Sequence, residues 1–281
     1  MIDGQTTAAS AFRRLHAEGL LILPNVWDAA TARIVENLGA PALATTSAAV
    51  AWSHGYADGD FLPVPLLVAT VADIVRVTRV PLSVDVEGGY ASDPARVAEA
   101  VAAVLEAGAV GINLEDGTGE PALLCAKIEH VRAAARRRGR DLFINARTDV
   151  YLRDLAPRAS RVEETVSRAA RYRDAGADGI FVPGVVEAAD IEALVSRVAL
   201  PLNVLARPGL PGAASLRALG VRRLSAGALL AEVALARIAV LAAGFLADGA
   251  SAPVLEGAMP YAEINALLAA GARAATPAPP R

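Results

Sequence analysis

The chain is poor in the residue types that most often announce chemistry. It has one cysteine, Cys125, and three histidines, His16, His54 and His130, spread through 281 residues. A single thiol rules out an internal disulfide framework and suits a reducing compartment, so a cytoplasmic location is expected. Scattered imidazoles leave no Cys/His cluster for zinc. Neither sign of charge dominates, since 27 basic residues face 30 acidic ones for a net charge of -3. That balance supplies no electrostatic pull toward nucleic acid or an anionic membrane. The basic run Arg136–Arg140 has no interleaved aromatic residue and falls at a helix end, where positive charge complements the backbone dipole. Residues Met1–Glu18 lack the basic-then-apolar order of a secretion signal. The longest apolar stretch, Ala226–Leu246, is broken by Glu232 and Arg237, which predicts a buried helix and not a membrane span.

What is abundant is small and aliphatic. Hydrophobic residues make up 54% of the chain and aromatic ones only 4%, the composition of a tightly packed α/β core. One local pattern recurs: a helix-like run ends in glycine and a short β-branched or apolar run follows at once. It is seen in NLGAPALATTS, EAGAVGINLED, DAGADGIFVPG and ALGVRRLSAG. Glycine there ends a helix in the left-handed conformation, and the run behind it is the next strand. Completing the pattern gives eight strand candidates, at Leu20–Pro24, Ala42–Thr45, Leu82–Val86, Gly111–Leu114, Leu142–Ala146, Gly179–Val182, Leu202–Leu205 and Arg222–Ser225. Helical patterns separate them, and Asp93-Pro94 marks one helix start clearly. Eight such units predict a (β/α)8 TIM barrel in one domain over residues 1–272, with a further C-terminal helix near Tyr261–Leu268. A disordered tail is expected over 273–281. An open dinucleotide-binding sheet is the other option, but no glycine-rich fingerprint follows the first strand.

Catalytic groups of a barrel sit at the C-terminal ends of its strands. Applied to these candidates, that rule collects Asp85 and Glu87, then Glu115 and Asp116, then Arg147 and Asp149, with Thr45, Thr46, Ser47, Asn203 and Ser225 on the others. Neighbouring carboxylates repel unless a cation neutralises them, and their oxygens suit a hard ion. Asp85, Glu87 and Glu115 are therefore expected as direct or water-mediated metal ligands. Arg147 on the next strand is placed to grip a substrate carboxylate or phosphonate, or to neutralise Glu115. Asp28 precedes a helix and reads first as its cap. Cys125 reads as a small hydrophobe inside a helix.

The pieces PNVWDAATARI, TTSAAVAWSHGYADGD, PLSVDVEGGY, GAVGINLEDG, INARTD, GADGIFVPG and PLNVLARPG, in this order and spacing, resemble the isocitrate lyase/phosphoenolpyruvate mutase superfamily over nearly the whole chain. The resemblance implies a Mg2+ barrel enzyme (Mn2+ as substitute) whose 2-oxo-acid substrate chelates the metal. It also implies a C-terminal helix swapped between subunits and a homodimer or homotetramer. By position, Asp85 would be the principal ligand, with Asp58, Glu87 and Glu115 completing the acidic shell. Thr45, Thr46 and Ser47 would bind the substrate carboxylate, Arg147 would act with Glu115 in catalysis, and Asn203 would contact substrate further out.

The departures are specific. Glu87 stands where the family usually has aspartate, and Pro183 stands where its lyase branch has a glutamate. The lyase gating run Lys-Arg/Lys-Cys-Gly-His is absent; the chain reads EDGTGEPALLCAKIEHVRAA there. The expectation is a Mg2+-dependent lyase that cleaves a C–C bond in a small 2-hydroxy or 2-oxo carboxylic acid such as 2-methylisocitrate, isocitrate or oxaloacetate. The breaking bond would leave an enolate held by the metal. The alternatives are a phosphonopyruvate-type C–P bond mutase or hydrolase, and a non-catalytic barrel that binds 2-oxo acids.

Overall fold

A computed structural model describes residues 2–271, and the expected tail at 273–281 lies outside the described residues. In chain order the elements are α1 (Ile2–Ala17), β1 (Leu21–Leu23), β2 (Asn25–Val26), α2 (Ala29–Asn37), β3 (Leu43–Thr45), α3 (Ser47–Ser53), α4 (Val64–Val77) and β4 (Leu82–Asp85). They continue with α5 (Pro94–Glu106), β5 (Gly111–Glu115), α6 (Pro121–Arg137), β6 (Phe143–Arg147), α7 (Arg161–Ala175), β7 (Gly179–Phe181), α8 (Ala188–Arg197) and β8 (Leu202–Leu205). The chain closes with α9 (Ala213–Leu219), β9 (Arg223–Ser225), α10 (Leu229–Asp248), α11 (Ala252–Leu255) and α12 (Tyr261–Gly271).

All strand pairs are parallel, in the order β1-β9-β8-β7-β6-β5-β4-β3-β2. The two end strands are halves of one stave, interrupted at Pro24, which has no N–H to give to a ladder. One half pairs with β9 and the other with β3, so the nine segments form the eight staves of a (β/α)8 barrel. Each expected strand is present to within a residue or two. Asp93 caps α5 by accepting from Ala95 N at 3.0 Å. Asp28 caps α2 in a reciprocal box with Thr31, the use its position implied.

Two packed regions hold the barrel together. The larger lies between staves and surrounding helices, built from residues such as Val84, Ile112, Leu114, Ile144 and Ile180. The smaller fills the barrel itself, where Leu21, Leu23, Ala42, Ala44, Val110 and Phe143 meet Ala9 and Phe12. Helix α1, which the sequence did not announce, plugs the N-terminal end of the staves. Phe12 packs edge-on to Phe143 at 5.5 Å, and His16 stacks on the same ring at 4.2 Å. Gly111 makes room for this plug, since a Cβ there would lie 2.8 Å from the Phe12 ring.

Helix α10 corrects an expectation. It is not a buried helix: Ala231 is its one buried residue, while Val233, Ile238, Val240 and Leu246 are exposed. By length and composition it would pass for a membrane span. Part of it lines a groove with Trp27, Ala49 and Trp52, and among the described residues most of its apolar surface stays uncovered. Helix α12 returns to its own barrel, where Arg33 Nε donates to Leu267 O at 3.3 Å.

Candidate active site

The C-terminal ends of the staves open into a cavity of about 450 Å³. Its wall includes Thr46, Ser47, Asp58, Asp85 and Arg147 from the expected set, together with Asn25, Asn113, Arg207, Ser225 and Glu232. Strand alternation explains the grouping. Asp85 pairs in register with Asn113, and Glu115 with Arg147, so inward-facing positions on successive staves come together in layers.

Asp85, at the end of β4, is held from two sides. Its backbone N–H donates to Thr45 Oγ1 at 2.9 Å, and its Oδ2 accepts from Ser47 Oγ at 3.1 Å. Burial pushes its carboxyl above the usual range, with Arg147 and Ser47 opposing and Asp58 adding to the rise. Thr45 therefore positions Asp85 from behind and does not line the cavity, whereas Thr46 and Ser47 do.

Glu87 and Glu115 stand behind the wall and do not line the cavity. Glu87 Oε2 accepts from Gly59 N at 2.8 Å and from Asp60 N, and its Oε1 accepts from Tyr90 Oη at 3.2 Å. It ties the 58–60 loop to β4, and burial beside Asp58, Asp60 and Asp85 pushes it up to about 7. Glu115 Oε2 lies 2.7 Å from Arg147 Nη1. Burial raises its pKa against the pull of Arg147. Arg147 also donates through Nε to Asp149 at 2.7 Å and through Nη2 at 3.1 Å, so burial does not discharge it. Two carboxylates thus already balance the guanidinium that reaches the cavity.

Asp116 is a structural anchor. Its carboxylate accepts from Asp149 N at 2.9 Å, from Arg168 Nη1 at 2.9 Å and from Tyr172 Oη at 2.6 Å. Asn203 is turned into a buried ladder under the cavity. Asn145 Nδ2 donates to Asn113 at 2.9 Å and to Asn203 at 3.0 Å, and Asn203 Nδ2 donates to Ser225 at 3.2 Å. Asn113 and Ser225, the outer members of the ladder, reach the cavity in its place. Period-two alternation down from Glu115 and Arg147 would have found Asn113 and Asn145 in the sequence. Arg207 and Glu232 carry no such signal, because a loop and a helix start bring them in.

Among the described residues no three His, Cys, Asp or Glu side chains close on one point as a ready-made metal cage. The four acids expected around a metal are divided, with Asp85 and Asp58 on the wall and Glu87 and Glu115 behind it. Magnesium requires no such cage, since it keeps several waters and takes one or two carboxylates. The oxygen-only donors of Asp85 and Asp58 fit that ion.

Hydroxyls, amides, three carboxylates and two guanidiniums stand around the mouth of a parallel barrel, the end at which enzymes of this fold carry their active sites. The chain belongs to the phosphoenolpyruvate phosphomutase family, whose model matches residues 12–246. It is 38% identical over 264 residues to an uncharacterized protein of Mycobacterium tuberculosis strain H37Rv, covering 92% of this chain and 96% of that one. It is 31% identical over 221 residues to oxaloacetate decarboxylase of Paraburkholderia xenovorans, covering 74% and 72%. A Burkholderia cenocepacia J2315 protein solved as a candidate phosphonomutase superposes with a TM-score of 0.79 at 42% identity, covering 84% of this chain and 98% of the other.

Proposed function

We propose that this enzyme is a Mg2+-dependent lyase that breaks a carbon–carbon bond in a small 2-oxo or 2-hydroxy carboxylic acid, in an oxo acid the bond one carbon removed from the oxo group. The observation that carries this reading is the convergence of Asp85, Asp58, Ser47, Thr46 and Arg147 on one cavity at the strand ends. The oxaloacetate decarboxylases among the relatives support it. Bound to Asp85 and Asp58, the metal would supply Lewis-acid polarisation of the substrate's oxo group.

The chain's own groups do the rest. Ser47 holds Asp85 in orientation, and Thr46 offers a hydroxyl to the substrate carboxylate. Arg147, kept charged and aligned by Glu115 and Asp149, presents its remaining N–H groups to the same end and stabilises charge that grows there as the bond breaks. No thiol or imidazole is among the described residues lining the cavity. His54 is engaged with Thr70 at 2.8 Å, and Cys125 lies on α6. Decarboxylation fits this equipment. The C–C bond breaks, carbon dioxide departs, the electron pair enters the oxo-acid as an enolate, and water returns the proton.

The test is turnover of oxaloacetate, isocitrate and 2-methylisocitrate with Mg2+ and with EDTA. We expect at least one substrate to be consumed only with metal, and Asp85→Ala to lose activity by 100-fold or more, on the order of 3 kcal/mol of transition-state stabilisation. Metal-independent turnover, or full activity in Asp85→Ala, would sink the mechanism. The matched family favours one second reading, C–P bond chemistry on a phosphonopyruvate-like substrate, which ³¹P NMR of that compound would reveal. Calorimetric binding of 2-oxo acids with no turnover would point to a non-catalytic barrel instead. We further propose that the working form is a homodimer or homotetramer in which a second copy covers α10, with C-terminal helices exchanged between subunits. A reducing cytoplasm suits its one thiol.

A further inference from the structure

The charges around the cavity are not equally occupied. Arg147 is shared between Glu115 and Asp149 at 2.7 Å each, so most of its charge is already matched inside the protein. Arg207 is the other guanidinium on the wall. Its side chain makes no hydrogen bond or ion pair among the described residues, and Glu232 of α10, an acid on the same wall, is not bonded to it.

The backbone that carries Arg207 is also rigid. Ala206 N donates to Ser225 O at 2.8 Å and fastens the end of β8 to β9. Arg207-Pro208-Gly209-Leu210 then forms a turn closed by Leu210 N to Arg207 O at 3.2 Å. Proline occupies its second position and Gly209 its third, at φ 87°. This is the type II arrangement, in which the third residue needs positive φ and proline presets the second. Such a turn holds its first residue in place before any ligand arrives, and a preorganised group loses less entropy on binding.

We propose that Arg207 is the specificity-determining residue for the end of the substrate remote from Asp85. It pairs with a second anionic group, a carboxylate in the lyase reading, and so selects dianionic over monoanionic oxo-acids. This role rests on the oxo-acid reading above, which assigns the near end to Asp85, Ser47 and Arg147. The near end is sensed by groups whose charges are already balanced, so discrimination by charge falls to the unpaired cation at the mouth.

Isothermal titration of the full chain with Mg2+ tests it, using pyruvate as the one-ended probe and 2-oxoglutarate and oxaloacetate as two-ended ones. In the wild type, at least one two-ended probe should bind ten times or more tighter than pyruvate. In Arg207→Gln that gap should shrink to threefold or less, with pyruvate affinity held within twofold, and Arg207→Lys should keep part of the gap. At turnover the Gln variant should raise KM for a dianionic substrate far more than it lowers kcat. A wild type without the gap, an Arg207→Gln variant that retains it, or equal loss for pyruvate would overturn the role. The reading beneath fails differently, through pyruvate binding that is absent in the wild type or unchanged in Asp85→Ala. Absence of all binding in the wild type would remove both. Arg207 is exposed, so its variants should fold, and unchanged thermal unfolding confirms it.

Discussion

Arg223, at the start of β9, is fully buried, and its two terminal nitrogens have no protein partner. Its Nε donates to Ser225 Oγ at 3.1 Å. Burial pulls its pKa down to about 10, with Asp85 opposing, so it remains a cation in the barrel interior. No acid lies within ion-pair distance among the described residues. Taking a lone charge out of water costs several kcal/mol that nothing here repays in full. Arg223→Met keeps much of the length and removes the charge. We expect it to be neutral or more stable, by up to about 3 kcal/mol, measured by denaturant unfolding at pH 7. A loss above about 2 kcal/mol would show that internal waters or the Ser225 bond satisfy the guanidinium. The same residue-scale contrast separates Asp85 from Asp116, two acids at adjacent strand ends. One faces the cavity, while the other is consumed by three donors from α7 and the β6–α7 segment.

At the scale of elements, α1 couples stability to pH. His16 Nδ1 donates to Phe12 O at 2.9 Å, which fixes the neutral tautomer, and its ring is clamped on Phe143. Burial first, then the nearby charge of Arg223, lowers its pKa to about 4 from an ordinary 6.5. The unfolded chain therefore binds a proton that the folded chain refuses between those values. Stability is complete above pH 6.5 and falls as pH drops toward 4, by about 2–3 kcal/mol at pH 4.5. In His16→Phe that part of the slope should disappear, which paired denaturant titrations at pH 7 and 4.5 would show. An unchanged slope would mean that other groups titrate there. Nothing in the sequence pointed to α1 as a plug: its apolar positions are few, and its partner Phe143 lies 131 residues away from Phe12. The staves were legible because glycine-ended helices and β-branched runs are local signals, independent of what packs on them.

At the scale of the whole molecule, α10 is the open end of the fold. A helix apolar on every side belongs in a core or a membrane, and here the single chain leaves Val233, Leu235, Ile238, Val240 and Leu246 half or more exposed. A contiguous apolar surface of this kind marks an interface. Under the proposed oligomer, Val233→Glu with Ile238→Glu should shift the mass in light scattering from a multiple of 28.8 kDa to the single chain. A wild type already at 28.8 kDa would refute the oligomer. Since Leu229 and Glu232 also line the cavity, separating the copies should weaken substrate binding as well.

The sequence by itself determined the barrel, the strand ends on which chemistry could sit, and Asp85, Ser47 and Arg147 as members of one site. These follow from local periodicity, and parallel register then carries like positions to like heights. Only the tertiary structure decided which of those polar groups face the cavity. Glu87, Glu115, Thr45 and Asn203 share the right strand ends, but each is taken by a neighbour that no local pattern reveals: the 58–60 loop, Arg147, the Asp85 backbone and the Asn145–Ser225 ladder. It likewise decided that Arg207 belongs to the site, because a proline–glycine turn, and not a strand, delivers it to the mouth.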